Sequence, residues 1–200
     1  MQYKAVLEQG LSARTVELEK EDRKLVADLN LLTDKPVLYV CNVDEKSAVT
    51  GNEHTRAVEA AIADERAEML IVAAATEADI AELDEYEERQ MFLEEIGLKE
   101  SGVARLIKAA YKLLDLQTFF TTGADESRAW TFRRGMKAPQ TAGIIHTDFE
   151  RGFIRAEVIK YDDYVALGSE KACRDAGKLS IEGKEYVVED GDIMHFLFNV

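Results

Sequence analysis

Proline, cysteine and long apolar runs are scarce in this sequence of 200 residues, and each scarcity excludes a class of protein. The two cysteines, Cys41 and Cys173, lie far apart, and neither belongs to a Cys-x-x-Cys pair or to a Cys/His pair at metal-ligand spacing. This excludes a disulfide framework and a zinc site, so we expect two reduced thiols. No stretch approaches the roughly 18 apolar residues of a membrane helix, and the start at Met1 lacks the layout of a signal peptide. We therefore expect a cytoplasmic protein without a membrane partner.

Positive charge is also in short supply, since 25 Lys and Arg face 39 Asp and Glu for a formal net charge of −14. This excludes a nucleic-acid binder coated in positive charge, because phosphate contacts need Lys and Arg. The deficit is uneven: residues 1–116 carry a net charge of −11 and residues 117–200 a net charge of −3. Any RNA contact must come from a local basic patch, and the change in charge predicts a domain boundary near Leu116.

Apolar periodicity in the first part of the chain predicts helices that alternate with buried strands. Residues at helical spacing predict helices over Glu19–Asn30, Glu53–Glu65 and Ser101–Leu114. Cap signals are weak, so these helices rest on periodicity alone. The short apolar runs Pro36–Cys41 and Met69–Ala73 are typical of buried strands. This alternation predicts a parallel α/β sheet, in which ligands bind at the carboxyl ends of the strands.

The second part of the chain has the pattern of strands and turns around one helix. Trp130 and Phe132 alternate with polar neighbours at strand period, as core residues do. We predict strands over Leu116–Thr121, Arg128–Phe132, Phe153–Ile159, Tyr186–Val188 and Ile193–Phe198, turns at Thr122–Asp125 and Glu189–Asp192, and a helix over Pro139–Ile145. These elements predict a small α+β unit.

The most informative stretch is Asn42-Val43-Asp44-Glu45, which follows the first predicted strand. It resembles the base-recognition motif Asn-Lys-x-Asp of P-loop GTPases, with Val43 in place of Lys and Glu45 in place of Asp. The Asp of that motif grips the edge of guanine, so the longer Glu and the missing Lys favour a different base. Alternatively, these residues are an Asn/Asp-rich turn that closes a strand.

Longer segments point to one family. Four stretches follow one another in the order found there: Leu31–Val40, Val72–Ile80, Thr141–Ala156 and Asp190–Val200. They resemble the YchF family of Obg-like, ribosome-associated ATPases, and the resemblance spans nearly the whole chain.

The resemblance implies a fold and a nucleotide site. Family members have a P-loop G domain interrupted by a helical coiled-coil insertion, followed by a ubiquitin-like β-grasp module called the TGS domain. By this comparison, residues 1–24 are the end of the insertion and the return to the G domain, residues 25–114 the C-terminal part of the G domain, and residues 115–200 the TGS domain. The implied adenine contacts are Asn42, Val43 through its backbone, Glu45, and a second loop at Ala74 and Ala75. The Asn-x-x-Glu variant implies ATP as the nucleotide, preferred over GTP.

The sequence departs from the family where phosphate chemistry is concerned. It contains no Gly-x-x-x-x-Gly-Lys-Ser/Thr motif, whose backbone amides wrap phosphates, and no Asp-x-x-Gly motif. We therefore expect no catalytic residue and no metal ligand in this chain, which resembles a C-terminal fragment. Intact family members are ATP or GTP hydrolases that use Mg²⁺, but this chain should be inactive alone.

A basic stretch in the second part is the candidate contact for the ribosome or ribosomal RNA. Residues 128–147 contain Arg128, Arg133, Arg134 and Lys137 and no acidic residue. The alternative is solvated surface charge. For the carboxylates Glu82, Asp84, Glu85, Glu87 and Glu88 we expect a solvated helical face, and for His146 and His195 structural roles.

Two functions remain open on the sequence alone. The preferred one is the C-terminal part of a ribosome-associated P-loop ATPase, which supplies base recognition and a TGS ribosome- or RNA-binding module. The alternative is a non-catalytic RNA- or ribosome-binding module with a vestigial nucleotide motif. In either case the parallel sheet would expose a strand edge that can pair with other chains.

Overall fold

The computed structural model describes residues 2–65, 67–123 and 126–199, and the chain divides into two compact units, Met1–Leu113 and Leu114–Val200. The first unit contains strands β1 (Val37–Asn42) and β2 (Ala67–Val72) and helices α1 (Gln2–Glu8), α2 (Lys20–Val26), α3 (Glu53–Ala61), α4 (Ala74–Ala81), α5 (Tyr86–Glu95) and α6 (Gly102–Leu113). Short 3₁₀ turns lie at Ala13–Thr15, Ala27–Leu29, Leu32–Asp34 and Glu45–Ser47.

The predicted parallel pairing in the first unit is confirmed. Strands β1 and β2 pair in parallel from Val37 opposite Ala67 to Asn42 opposite Val72, and α6 packs against both strands. Because both strands run in the same direction, their carboxyl ends meet at one edge of the sheet. Beyond that edge, a core cluster that includes Ile80, Leu93 and Leu98 packs α4 and α5 together.

The helices of the first unit agree only in part with the sequence. Helix α2 ends at Val26 and continues as a 3₁₀ turn, with Leu25 on its surface 79% exposed. Helix α3 has a strong cap that sequence reasoning missed, because the Asn52 side chain accepts hydrogen bonds from the backbone of His54 and Thr55. Helices α1 and α4 were not predicted, and of α5 only the carboxylates Glu87 and Glu88 at its start were expected on a helix.

The second unit is a five-stranded sheet with helices. Its elements are β3 (Leu116–Thr122), β4 (Ser127–Arg133), α7 (Ala138–Ile145), α8 (Thr147–Arg151), β5 (Phe153–Lys160), α9 (Tyr161–Leu167), α10 (Glu170–Asp175), β6 (Leu179–Glu182) and β7 (Asp192–Phe198). The strand order is β4-β3-β7-β5-β6, in which β3 and β7 are parallel and the other pairs antiparallel. The core cluster of this unit includes Phe119, Phe132, Val158 and Met194, with Trp130 partly buried against it.

Most predicted elements of the second unit are confirmed, and two predictions are wrong. The segment Tyr186–Val188 is not a strand, because it makes only one isolated bridge, between Lys137 and Val187. The unit also has more than the one predicted helix, since α8, α9 and α10 accompany α7. The predicted turn at Thr122–Asp125 falls partly on Ala124 and Asp125, which lie outside the described residues.

Candidate nucleotide-base site

Asn42 lies at the carboxyl end of β1 and bridges to the loop that follows β2. Its side-chain Oδ1 accepts a hydrogen bond from the backbone N–H of Ala74 at 3.1 Å. A backbone N–H can only donate, so this bond fixes which end of the Asn42 amide faces Ala74. The Nδ2 group, a donor, is thereby directed to the other side, where a ring nitrogen of a base could accept from it.

Val43 follows Asn42 at the same edge of the sheet, and one of its two backbone polar groups is already hydrogen-bonded. Its N–H donates to the carbonyl of Val72 at 2.9 Å, and its side chain packs against the core of the first unit. The backbone group of Val43 that suits a ligand is therefore its carbonyl oxygen, an acceptor. The sequence had identified the residue, but not which of its backbone groups is suited to binding.

Glu45 begins the 3₁₀ turn Glu45–Ser47 and has an exposed side chain. The turn is capped by Asp44, whose carboxylate accepts a hydrogen bond from the Ser47 N–H at 3.1 Å. Glu45 lines a cavity of about 430 Å³ together with Thr76 and Asp79 of α4. The turn thus holds this carboxylate next to the first two turns of α4.

Ala74 and Ala75 form the start of α4, and both are exposed. Their methyl side chains leave the backbone of this turn accessible. Asn42, Val43 and the Ala74 loop are therefore joined by hydrogen bonds across the ends of two parallel strands, and Glu45 shares a cavity with the same helix. The arrangement offers a donor, an acceptor and a small-residue turn, which are suited to the edge of a flat heterocycle.

Sequence reasoning missed a buried carboxylate beside this loop. Glu77, one turn into α4, accepts a hydrogen bond from the backbone N–H of Gly102 and lies 3.7 Å from Nη2 of Arg105. Only 8% of its side chain is exposed. No local pattern marks Glu77, because its partners are 25 or more residues further along the chain.

The four predicted RNA-contacting cations are all exposed, but they do not form one surface. Arg128 stacks over the Trp130 ring at 4.3 Å, and the two residues lie on the same face of β4. Arg133 is an odd number of residues away from both, so it lies on the other face of the strand. Arg134 pairs with Asp115 at 2.9 Å, and Lys137 pairs with Glu185. Two of the four charges are thus partly neutralised by carboxylates from other segments.

The other residues that the sequence singled out include the carboxylates between Glu82 and Glu88 and His146. All five carboxylates from Glu82 to Glu88 are exposed, but they span the connection from α4 to α5 and the first turn of α5 rather than one helix. His146 caps α8 by accepting from the Asp148 N–H at 3.2 Å.

Within residues 2–65, 67–123 and 126–199, no group of three or more His, Cys, Asp or Glu is placed to hold a metal ion, and no helix is long and apolar enough to cross a membrane.

Comparison with known proteins gives consistent matches over nearly the whole chain. The family model described as YchF-GTPase_C, protein of unknown function (DUF933), matches residues 116–199. The chain is 55% identical over 199 residues to the ribosome-binding ATPase YchF of Bacillus subtilis, covering 98% of this chain and 54% of the relative. It is 46% identical over 172 residues to Obg-like ATPase 1 of Rattus norvegicus, covering 84% of this chain and 43% of the relative.

A solved structure agrees with these matches. The YchF GTPase of Schizosaccharomyces pombe superposes with a TM-score of 0.85 at 34% sequence identity, over 98% of this chain and 52% of that one. The fold and the likenesses together place the chain among the Obg-like proteins. More narrowly, the chain belongs to the YchF family, and it matches the C-terminal region of the family's proteins. It spans about half the length of the relatives that it matches.

Proposed function

We propose that this chain supplies the base-recognition part of an ATP site, together with a ribosome-binding module, in a cytoplasmic ATPase of the YchF family. The observation that carries the proposal is the hydrogen bond from Ala74 N–H to Asn42 Oδ1, which ties the two predicted base loops together. The names of its relatives, ribosome-binding ATPase among them, support the same function.

The preference for ATP follows from which groups of the site remain to meet a base. The Val43 carbonyl suits the exocyclic amino group of adenine, a donor, and would face the O6 acceptor of guanine unfavourably. Asn42 Nδ2 suits a purine ring nitrogen, which both bases offer. The discrimination therefore rests on Val43 and on the missing Asp of the Asn-Lys-x-Asp motif, where Glu45 stands.

The phosphate groups and Mg²⁺ of such a site depend on residues outside these 200. The sequence has neither the phosphate-binding loop motif nor Asp-x-x-Gly, so in this proposal the chain binds the base and contributes no catalytic residue. When bound, Mg²⁺ would neutralise phosphate charge. The role of the present residues is to select and orient the nucleotide.

For the second unit we propose a β-grasp module of the TGS type over residues 115–200, with residues 25–114 as the C-terminal part of the G domain and residues 1–24 as the return from its insertion. The support is topological: the hairpin β3–β4 leads into α7, and the last strand, β7, enters the centre of the sheet parallel to β3. That order, in which the first and last strands pair centrally, is the order of ubiquitin-like folds.

We assign the ribosome contact of this module to Arg133, Arg134 and Lys137, with ribosomal RNA as the partner, and leave out Arg128, which lies on the opposite face of β4 and stacks over Trp130. The net charge of −11 over residues 1–116 makes the first unit the weaker candidate, because it repels phosphate. The ion pairs of Arg134 and Lys137 can exchange their exposed carboxylate partners for phosphates at little cost, since such pairs contribute only about 0–1 kcal/mol.

Base choice can be tested in a fusion of this chain to the preceding part of the Bacillus subtilis relative. Changing Val43→Lys and Glu45→Asp together recreates Asn-Lys-x-Asp, and one bidentate base contact is worth roughly 1–3 kcal/mol by analogy with nucleic-acid reading. We expect the affinity for GTP to rise relative to ATP by about tenfold or more in calorimetric titrations. An unchanged ratio would place base selectivity elsewhere.

The RNA contact can be tested through its salt dependence. Changing Arg133, Arg134 and Lys137 to Ala should weaken co-sedimentation with ribosomes and flatten the log-log salt slope by about one unit for each phosphate that is no longer neutralised. Changing Lys24, Lys46 and Lys108 to Ala removes the same charge from the first unit and should leave the slope unchanged. If the second-unit variant stays folded and sediments as the unchanged protein does across the salt series, the assignment is wrong.

The second candidate function is a non-catalytic RNA- or ribosome-binding module with a vestigial base motif. It is favoured by the absence of the phosphate-binding motif from the 200 residues. The fusion discriminates between the two functions, because only the preferred one predicts that the fusion binds ATP.

A further inference from the structure

A buried contact joins the base loop to the first turn of α6. The carboxylate of Glu77 receives the Gly102 N–H through Oε2, and its Oε1 faces Arg105. Gly102 is the first residue of α6, where backbone N–H groups lack partners within the helix and the helix dipole favours negative charge. Glu77 therefore caps α6 from another helix.

The contact, with the Glu77 carboxylate in its present position, leaves room only for glycine at position 102. A Cβ placed there would lie 2.7 Å from Oε2 and 2.9 Å from Cδ of Glu77, closer than atoms pack. Gly102 is buried and its φ is not in the left-handed region, so the backbone itself accepts other residues. A side chain there would therefore displace the Glu77 carboxylate from its position against the Gly102 N–H.

The same helical turn carries the base loop. Glu77 N–H donates to the Ala73 carbonyl at 2.9 Å, which makes the first turn of α4 a single hydrogen-bonded unit from Ala73 to Glu77. Ala74, inside that turn, holds the Asn42 amide. A restraint on Glu77 is therefore a restraint on the orientation of Asn42.

We propose that Glu77 is a positioning residue for base recognition, which fixes the Asn42 amide by anchoring α4 to Gly102 and Arg105 of α6. This deepens the proposed function and rests on it for the role in base choice. The anchor itself is independent of any nucleotide, so it can be tested in this chain alone.

The first test is amide hydrogen exchange, measured by NMR on the 200-residue chain. The Ala74 N–H is protected by Asn42, so its exchange rate reports directly on the loop. Glu77→Ala should raise that rate by about tenfold or more, because it removes a charge-assisted hydrogen bond, with little change at the amides of β1 and β2. Glu77→Gln keeps an oxygen that accepts from Gly102 and should restore most of the protection.

Gly102→Ala is a second test variant, because the presence and the absence of the Glu77 anchor predict different effects for it. Ala is a better helix former than Gly, so without the anchor this change should leave α6 unchanged or stabilise it slightly. The anchor instead predicts faster exchange at Ala74, with no further increase in the Glu77→Ala, Gly102→Ala double variant. Glu82→Ala, which removes an exposed carboxylate after α4, is the matched control and should change nothing.

The second test is the ATP:GTP affinity ratio of the fusion protein, measured by calorimetry with Mg²⁺. Glu77→Ala should reduce the preference for ATP by about threefold or more, and Glu77→Gln should largely restore it. Unchanged exchange at Ala74, or a uniform rise across the first unit, would overturn the anchor. An unchanged ATP:GTP ratio would overturn the role of Glu77 in base choice. A fusion that binds neither nucleotide would refute the proposed function, and the exchange result alone would then decide whether the anchor exists.

Discussion

Replacing Asp192 by Asn is expected to lower the free energy of unfolding of the second unit by about 2–4 kcal/mol. Asp192 is fully buried, and its carboxylate accepts from Lys160 Nζ at 2.7 Å, Tyr186 Oη at 2.7 Å and Glu189 N–H at 2.9 Å. Asn has the same shape but must turn an NH₂ group towards one of these donors. The lower end of the range allows for Lys160, which is half-exposed and keeps access to water.

The protonation states of Tyr186 and Lys160 set the pH range over which their bonds to Asp192 stabilise the second unit. Burial, and then the hydrogen bond to Asp192, raise the pKa of Tyr186 to about 12 from 10.0. Burial alone would lower the pKa of Lys160, but its hydrogen bonds to Asp192, Glu189 and Tyr186 raise it above the usual value. Both groups hold their protons more strongly in the folded state, so the stabilisation is complete below about pH 10 and declines as the pH rises through 12.

Urea unfolding followed by tryptophan fluorescence measures this destabilisation. Trp130 is the only tryptophan of the chain, so its signal reports the second unit. Glu189→Gln removes an exposed partner of the same lysine and should cost less than about 1 kcal/mol, which makes it the control. The stabilising role of Asp192 would be contradicted if the free energy of unfolding fell equally in the two variants, or if it fell by less than about 1 kcal/mol in Asp192→Asn. Should that variant not fold, Tyr186→Phe should still cost about 1 kcal/mol, because it removes one hydrogen bond.

The same cluster explains one failure of prediction from sequence. Tyr186–Val188 has the apolar, β-branched composition of a strand, and local composition was the basis of that prediction. In the structure Asp192 accepts from the side-chain hydroxyl of Tyr186 and from the N–H of Glu189, just after the segment. The backbone of the segment makes two bonds, from Ala138 N–H to the Tyr186 carbonyl and from Val188 N–H to the Met136 carbonyl. These two bonds form the single bridge between Lys137 and Val187, so the segment pairs at one point and not along a ladder. The contacts that hold it come from distant residues and have no local signature.

The strands and the base site were more predictable for a physical reason. The runs that became β1 and β2 are apolar, as is typical of strands that pair in parallel, although the expected burial is wrong here: both strands are only partly buried and Val40 is 48% exposed. The position after a parallel strand is where polar residues reach ligands. Asn42 could therefore be chosen as a candidate from its place in the sequence, and its role stays a prediction. Helix α5 could not, because among its residues only Leu93 is buried and no apolar stripe develops.

Glu77 marks the limit of such reasoning. It lies in an alanine-rich helix with other acidic residues nearby, so its sequence context is that of a solvated carboxylate. What distinguishes it is its burial against Gly102 and Arg105, which only the packing of α4 on α6 creates.

In the proposed function, this chain recognises the base of ATP, and residues outside it bind the phosphates. Calorimetric titration of ATP and Mg²⁺ tests this most directly, with this chain and its fusion to the preceding part of the Bacillus subtilis relative measured in parallel, and with the intact relative as the positive control. The account predicts no detectable binding by the chain alone and a Kd of about micromolar order for the fusion, a difference of several kcal/mol supplied by the phosphate loop. Micromolar binding or ATP turnover by the chain alone, or a folded fusion that does not bind ATP, would contradict it.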